Sequence, residues 1–320
     1  MNTKTKCGAV AATIGLGLFL TTLAPASADT TLNVGKANAT SDAIIPVNVG
    51  DELGIFKKHG LALKIQDFGG GSKMAQALAA GSIDIGDGAG TEMAFVAKGA
   101  PMMTICESTA PAPFLGIGVP SIKTLDDLKG KRIAVSSPGS FSEWSGHVLA
   151  RKKGWGENGV TTIAVGGGAA PTLAAFKTHQ VDASIGSASQ FLALEKTKEG
   201  RLLTTVASYE GNVASGALFA SNDLIAKNPD AVRAFLAAWI ETVAYMRAHK
   251  AETVKIESKI TNFDEDVMSR EYDLVIGMYV KDCRFDAESL ATLKSSFVEL
   301  KLLDQEPDMT KLYTEAYLPK

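Results

Sequence analysis

From Thr31 onward, short apolar runs alternate with stretches whose apolar residues recur every three or four positions, and glycine-rich turns separate the two. That alternation predicts βαβα units with parallel strands. Strands are expected over 32–34, 63–67, 83–85 and 102–106. Helices are expected over 46–59, 72–80 and about 91–98, the first two ended by Gly60 and Gly81. The same order then returns: strands over 133–135, 161–165 and 181–185, and helices over 142–153, ended by Gly154, and 171–178.

At an offset of 98, Gly69 and Gly70 match Gly167 and Gly168, Leu78 matches Phe176, Ile83 matches Val181, and Asp84 matches Asp182. A period this long exceeds that of solenoid repeats and points to two lobes of similar build. Any two βαβα stretches share some of this pattern, but the glycine pairs and aspartates also fall in register. Pro111-Ala112-Pro113 and the apolar run 114–119 suggest a strand crossing between lobes, and 217–221 a strand returning. Helices follow: one with Asn228 as cap and Pro229 in its first turn, running past Trp239 to about His249, two beginning near Asp264 and Asp286, and a last after Asp308. The expected fold class is therefore α/β, with two lobes, each a doubly wound, mostly parallel sheet flanked by helices. Residues 29–116 with 218–320 form lobe 1 and residues 117–217 form lobe 2. Two crossings make a hinge.

The N-terminus stands outside this pattern. Lys4 and Lys6 precede an apolar run over 9–23 that ends in Ala26-Ser27-Ala28, which reads as a signal peptide over residues 1–28, cleaved after about Ala28. The run is shorter than a membrane span. Cys7 precedes it, whereas a lipid-modified cysteine would follow it. A soluble, periplasmic protein is expected. Beyond the signal, 30 basic residues stand against 35 acidic ones, a balance of −5, and no basic patch invites nucleic acid. Cys106 and Cys283 are either a disulfide or two buried thiols; a chain of this size does not need stapling.

Candidate chemistry is sparse. No G-x-S-x-G follows a strand and opens a helix. His59, His147, His179 and His249 lack a partner three or four positions away, so no metal is expected. Gly154-x-Gly156-x-x-Gly159 fits the dinucleotide pattern only in letters, because it ends a helix rather than opening one. Gly69-Gly70-Gly71-Ser72-Lys73 lacks the phosphate-loop frame. No cofactor and no enzymatic activity are expected.

What recurs is a strand that ends in small residues feeding into a helix, at 39–41, 69–72, 88–91, 136–142, 166–168 and 187–189. Open α/β sheets bind ligands at these strand ends, where helix N–H groups favour anions and small side chains allow close approach. Glycine and serine also simply make turns and caps. Ser140 and Glu143 have capping-box spacing, so Glu143 either closes its helix or meets a ligand amine beside the aromatic Phe141 and Trp144. Glu92 carries the same ambiguity. None of the six junctions holds an arginine, though Lys73 adjoins one.

Gly54-Ile55-Phe56-Lys57-Lys58-His59-Gly60-Leu61, the run 77–86 (Ala-Leu-Ala-Ala-Gly-Ser-Ile-Asp-Ile-Gly), Lys98-Gly99-Ala100-Pro101, the run 125–135 and Pro138-Gly139-Ser140 together resemble the nitrate, sulfonate and taurine type of solute-binding protein from ABC importers. The pyrimidine-precursor-binding branch is similar too. The resemblance implies the type II periplasmic-binding-protein fold, a small-molecule ligand in the cleft, closure about the hinge, and delivery to an ABC permease in the inner membrane by a monomer. It places ligand contacts at Ser41, Gly70, Ser72, Gly90, Thr91, Gly139, Ser140, Phe141, Gly168 and Ser187, with Thr40, Glu92, Glu143 and Trp144 at the margin of the set. Phe141-Ser142-Glu143-Trp144 departs from the small polar residues usual after the Gly-Ser pair. That favours an organic ligand, anionic or zwitterionic, over an inorganic ion. An enzyme of the same fold would be cytosolic and carry a cysteine-rich iron site, unlike this chain. A binding protein that docks on a sensor stays open.

Overall fold

The computed structural model describes residues 1–3, 29–39, 44–111, 114–156 and 158–320. Apart from its first three residues, the expected signal peptide lies outside them. Ten strands run in chain order: β1 (Thr30–Lys36), β2 (Leu61–Asp67), β3 (Ile85–Ala89), β4 (Met102–Thr109), β5 (Phe114–Gly118), β6 (Arg132–Val135), β7 (Thr161–Ala164), β8 (Ala183–Ser187), β9 (Arg201–Thr205) and β10 (Gly216–Ser221).

They form two five-stranded sheets, ordered β2-β1-β3-β10-β4 and β7-β6-β8-β5-β9. In each, three parallel strands come from a βαβαβ unit, and the next strand runs antiparallel: β10 beside β3, β5 beside β8. The crossing strand takes the same place in both sheets. β10 is buried along its whole length, as a strand covered on both faces must be, which explains its unbroken run of small and apolar residues.

The aspartates at offset 98 do the same work twice. Asp84 Oδ2 accepts from the backbone and side-chain amides of Asn33 at 2.8 and 3.0 Å. Asp182 Oδ2 accepts from the backbone N–H and Nε of Arg132 at 3.0 and 3.1 Å. Each thus ties the entry of a third parallel strand to the first strand of its unit.

Differences from the sequence expectation have local causes. The helix expected over 46–59 is two helices, Pro46–Glu52 and Ile55–Lys58, because Gly54 takes a left-handed conformation with φ 70° and breaks the run. The helix Lys250–Thr261 and strand β9 were not expected, and the helix after Asp308 is a single 3₁₀ turn, Met309–Lys311. Helix Pro229–Ala248 is capped by Asn228, whose side chain accepts from Ala231 N–H, and buries Val232, Phe235, Leu236, Trp239, Val243 and Met246 on one face. Phe235 packs against Phe56 of the short second helix at 5.1 Å between ring centroids. Truncating such a ring to alanine costs about 3–5 kcal/mol.

Cys106 of β4 and Cys283 form a disulfide, with Cα atoms 4.5 Å apart. Chain size made this bond unnecessary on entropic grounds, but the fold lays the segment around Tyr279 and Cys283 along the outer edge of β4. The staple therefore covers a sheet edge. Among the described residues, no helix is long and apolar enough to cross a membrane.

Candidate functional site

Between the two sheets lies a cavity of about 70 Å³. That is room for roughly five to seven waters, or a ligand with a similar number of heavy atoms. Its wall comes from both sheets at the carboxyl ends of parallel strands. The first sheet contributes Ala37 and Asn38 after β1 and Gly88, Ala89 and Glu92 at the end of β3; the second contributes Ser136 after β6, Gly166 to Gly168 after β7, and Ser187 and Gln190 after β8.

Helix starts face the cavity on the second-sheet side. Ser140 caps Phe141–Lys152, Gly168 caps Ala169–Lys177 with φ 102°, and Ser187 caps Ala188–Lys196. Ser140 and Ser187 accept from the N–H groups of Glu143 and Gln190 at 3.4 and 3.2 Å. Ser142 Oγ lies 3.1 Å from Ser140 Oγ and accepts from Ser136 N–H at 3.0 Å. This wall combines hydroxyls with the positive ends of three helices.

The first-sheet wall is different. Glu92 is 2% exposed, and burial pushes its carboxyl up to about 7, partly offset by hydrogen bonds from Ala89 N–H at 2.5 Å and Thr91 Oγ1 at 3.3 Å. The backbone is shaped to hold it. A Cβ on Gly71 would stand 2.1 Å from Glu92 Oε1, and one on Gly88 would stand 3.1 Å from Oε2. Asn38 presents a buried Oδ1 that has no hydrogen-bond partner among the described residues.

Behind this wall, Lys36 and Asp87 sit side by side in register on β1 and β3, both buried. Lys36 Nζ donates to Asn48 Oδ1 at 2.5 Å and to Ala39 O at 3.0 Å, and lies 3.6 Å from Asp67. Burial lowers the Lys36 pKa and raises that of Asp87 well above the usual carboxylate range, with the Lys36 charge opposing the rise. Lys36 is thus committed to the first lobe. Among the described residues, no basic side chain lines the cavity, and no group of three His, Cys, Asp or Glu is placed to hold a metal ion.

The family described as NMT1/THI5 like matches residues 42–253, more than half of the chain. The chain belongs to that family. A curated Brucella abortus relative, provisionally named as a binding protein, is 25% identical over 226 residues, 70% of this chain and 69% of its own. Among solved structures, the alkanesulfonate-binding protein SsuA from Xanthomonas axonopodis pv. citri, bound to MOPS, is similar at TM-score 0.70 and 20% identity, over 87% of this chain and 96% of that one. The periplasmic nitrate-binding protein NrtA from Synechocystis PCC 6803 is similar at TM-score 0.72 and 16% identity, over 90% of this chain and 87% of that one. The two-lobed α/β fold of periplasmic binding proteins, expected from the resemblance, is the one observed.

In this NMT1/THI5-like chain, five of the sequence-derived candidates stand on the cavity wall: Ser140, Phe141, Gly168, Ser187 and Glu92. Others meet across the mouth of the cleft. Ser72 Oγ donates to Pro138 O at 3.0 Å, Gly139 faces Ser72, and Gly70 abuts Ser137. Thr91 supports Glu92 from behind, and Gly90 is pressed against Ala214 O. The Glu143 carboxylate accepts from Gly139 N–H at 2.7 Å and Thr162 Oγ1 at 3.1 Å, closing its helix away from the cavity. Trp144 is buried and donates from Nε1 to Glu299 Oε2 at 2.7 Å. Thr40 and Ser41 lie outside the described residues.

Sequence reasoning missed Asn38 and Gln190. The offset of 98 held the signal for the second, since Gln190 is the repeat partner of Glu92.

Proposed function

We propose that this protein is the solute-binding component of an ABC import system. It is exported to the periplasm with its first 28 or so residues removed, and as a monomer it encloses one small organic solute, anionic or zwitterionic, between its lobes. It then hands the solute to a permease in the inner membrane and does no chemistry of its own. The observation that carries this reading is the cavity: small, walled by strand ends of both sheets, and bridged by two crossing strands that let the lobes part and close. No nucleophile with an adjacent base stands on its wall among the described residues, which favours capture over catalysis.

Closure gives the permease something to recognise, because only the liganded form presents both lobes in one fixed arrangement. Small-angle scattering and thermal melting test this together. A ligand at about 100 times its Kd adds roughly 2.7 kcal/mol to stability and should shrink the radius of gyration. A ligand that stabilises without compaction would refute hinge closure.

A further inference from the structure

We infer that the solute carries an ammonium-type donor group that sits against Glu92, so that the cleft takes zwitterions in preference to simple anions. This rests on the solute-capture reading and narrows it. The two halves of the repeat supply the argument. Gly88 and Glu92 at the end of β3 correspond, at the offset of 98, to Gly186 and Gln190 at the end of β8, and all four line the cavity. In both lobes the side chain folds back over its glycine: a Cβ on Gly186 would stand 2.4 Å from Gln190 Oε1. The second lobe shows that an uncharged amide fills this position, so the fold itself does not require a carboxylate there.

A buried carboxylate is costly unless it is paired. Glu92 accepts from the N–H of Ala89, the Thr91 hydroxyl and its own backbone N–H, but no cation stands beside it among the described residues. Lys36 is engaged elsewhere, and residues 40–43, Thr-Ser-Asp-Ala, contain no basic side chain. A cation from the ligand would complete the site. Asn38 Oδ1, which has no partner among the described residues, adds a second acceptor on the same wall. Opposite them, the capped helix starts at Ser140, Gly168 and Ser187 supply donors for an acidic head. The cleft is thus polarised from the first-sheet wall to the second-sheet wall, and its volume suits a molecule with an amine and an acid a few bonds apart.

Isothermal titration of the purified protein at about pH 8, where amines are still cationic, with 2-aminoethanesulfonate, ethanesulfonate, β-alanine, propanoate and ethylamine tests this. Each amino acid probe should bind about tenfold or more tighter than its des-amino anion, and Glu92→Gln should abolish that preference. Equal affinity for an anion and its amino counterpart, or an undiminished preference in Glu92→Gln, would overturn the inference while leaving solute capture standing. Silence from every probe of all three charge types would count against both. Glu92→Gln installs the residue that the second lobe already uses, so its melting temperature should not fall; were it to misfold, the wild-type ratio between probes still decides.

Discussion

The two lobes are built on one plan and differ where the plan meets the cleft. Asp84 and Asp182 bind the same strand groups in the same way, and Leu78 and Phe176 fill the same core position. At the cleft, however, the first lobe offers a carboxylate and the second an amide, backed by helix starts and hydroxyls. Repetition preserves what folding needs, so the places where two repeats diverge mark what folding does not explain. By that measure Glu92, Lys36 and Asp87, whose counterparts by strand register are Gln190, Val135 and Ile185, are the residues that set the first lobe apart.

The disulfide is the largest such divergence. It closes a separation of 177 residues on the first lobe, and the second has no counterpart. Replacing both cysteines with serine should cost about 4–5 kcal/mol by loop entropy, read as the loss between denaturant melts of the two forms. Amide exchange should loosen in β4 and its neighbours while β6 to β8 hold; uniform loosening would mean that the lobes unfold as one unit.

Exchanging the paired residues comes next in size. Gln190→Glu buries a new carboxylate on a wall without a cation and should destabilise the ligand-free protein by about 3 kcal/mol near pH 8. Thermal melts of this variant and of Glu92→Gln should move in opposite directions. Movement in the same direction would show that the two positions are not equivalent.

The pH dependence follows from the same carboxyl. Glu92 titrates near 7 in the folded protein against 4.5 for an ordinary glutamate. The folded state therefore holds the extra proton between those values, and stability falls as pH rises through about 7. The contribution is on the order of 3 kcal/mol, present in full below the ordinary value and gone above the raised one. Burial also raises Glu107 to about 7 and Glu210 to about 8, so these act in the same direction. The difference between wild type and Glu92→Gln, followed from about pH 4 to 9, isolates the Glu92 share. Parallel curves would place its titration elsewhere.

How much of this was legible depended on which physical signal each residue carries. Apolar runs such as Gly216–Ser221 are visible because a strand covered on both faces can hold little else. β9 was missed because it is half-exposed at a sheet edge, and Lys250–Thr261 because its buried face is mostly Thr253, Val254 and Glu257. Gly54 looks in sequence like a tolerated helix glycine, and only its φ shows the break. The candidates at strand ends divided by orientation. Ser140 and Ser187 cap helices that start on the cavity, while Ser72, one residue into its helix, points at Pro138 across the cleft. Small-residue junctions announce where two lobes come close; which of their atoms then line the cavity and which meet the other lobe changes with a rotation of one residue.

The smallest expected effect probes how the lobes are held together rather than how each is built. Glu299 belongs to the C-terminal segment, which is fastened to the first sheet through Ser289 Oγ donating to Glu107 Oε1 at 2.7 Å. Glu299 Oε2 receives Trp144 Nε1 at 2.7 Å and Arg151 at 2.8 Å, both from the second-lobe helix Phe141–Lys152. The Arg151 side chain is 52% exposed, so its ion pair is worth about 0–1 kcal/mol. The tryptophan bond is buried at one end and contributes about 1 kcal/mol more. Glu299→Gln keeps an oxygen for Trp144 and loses the ion pair, whereas Glu299→Ala loses both. If these contacts form only when the cleft is shut, each variant should weaken solute binding by a few fold, alanine more than glutamine, and leave the ligand-free melting temperature unchanged. If they persist with the lobes apart, the loss should appear in the melting temperature and binding should not move, which would make Glu299 a fixed brace and leave closure to the cavity walls alone.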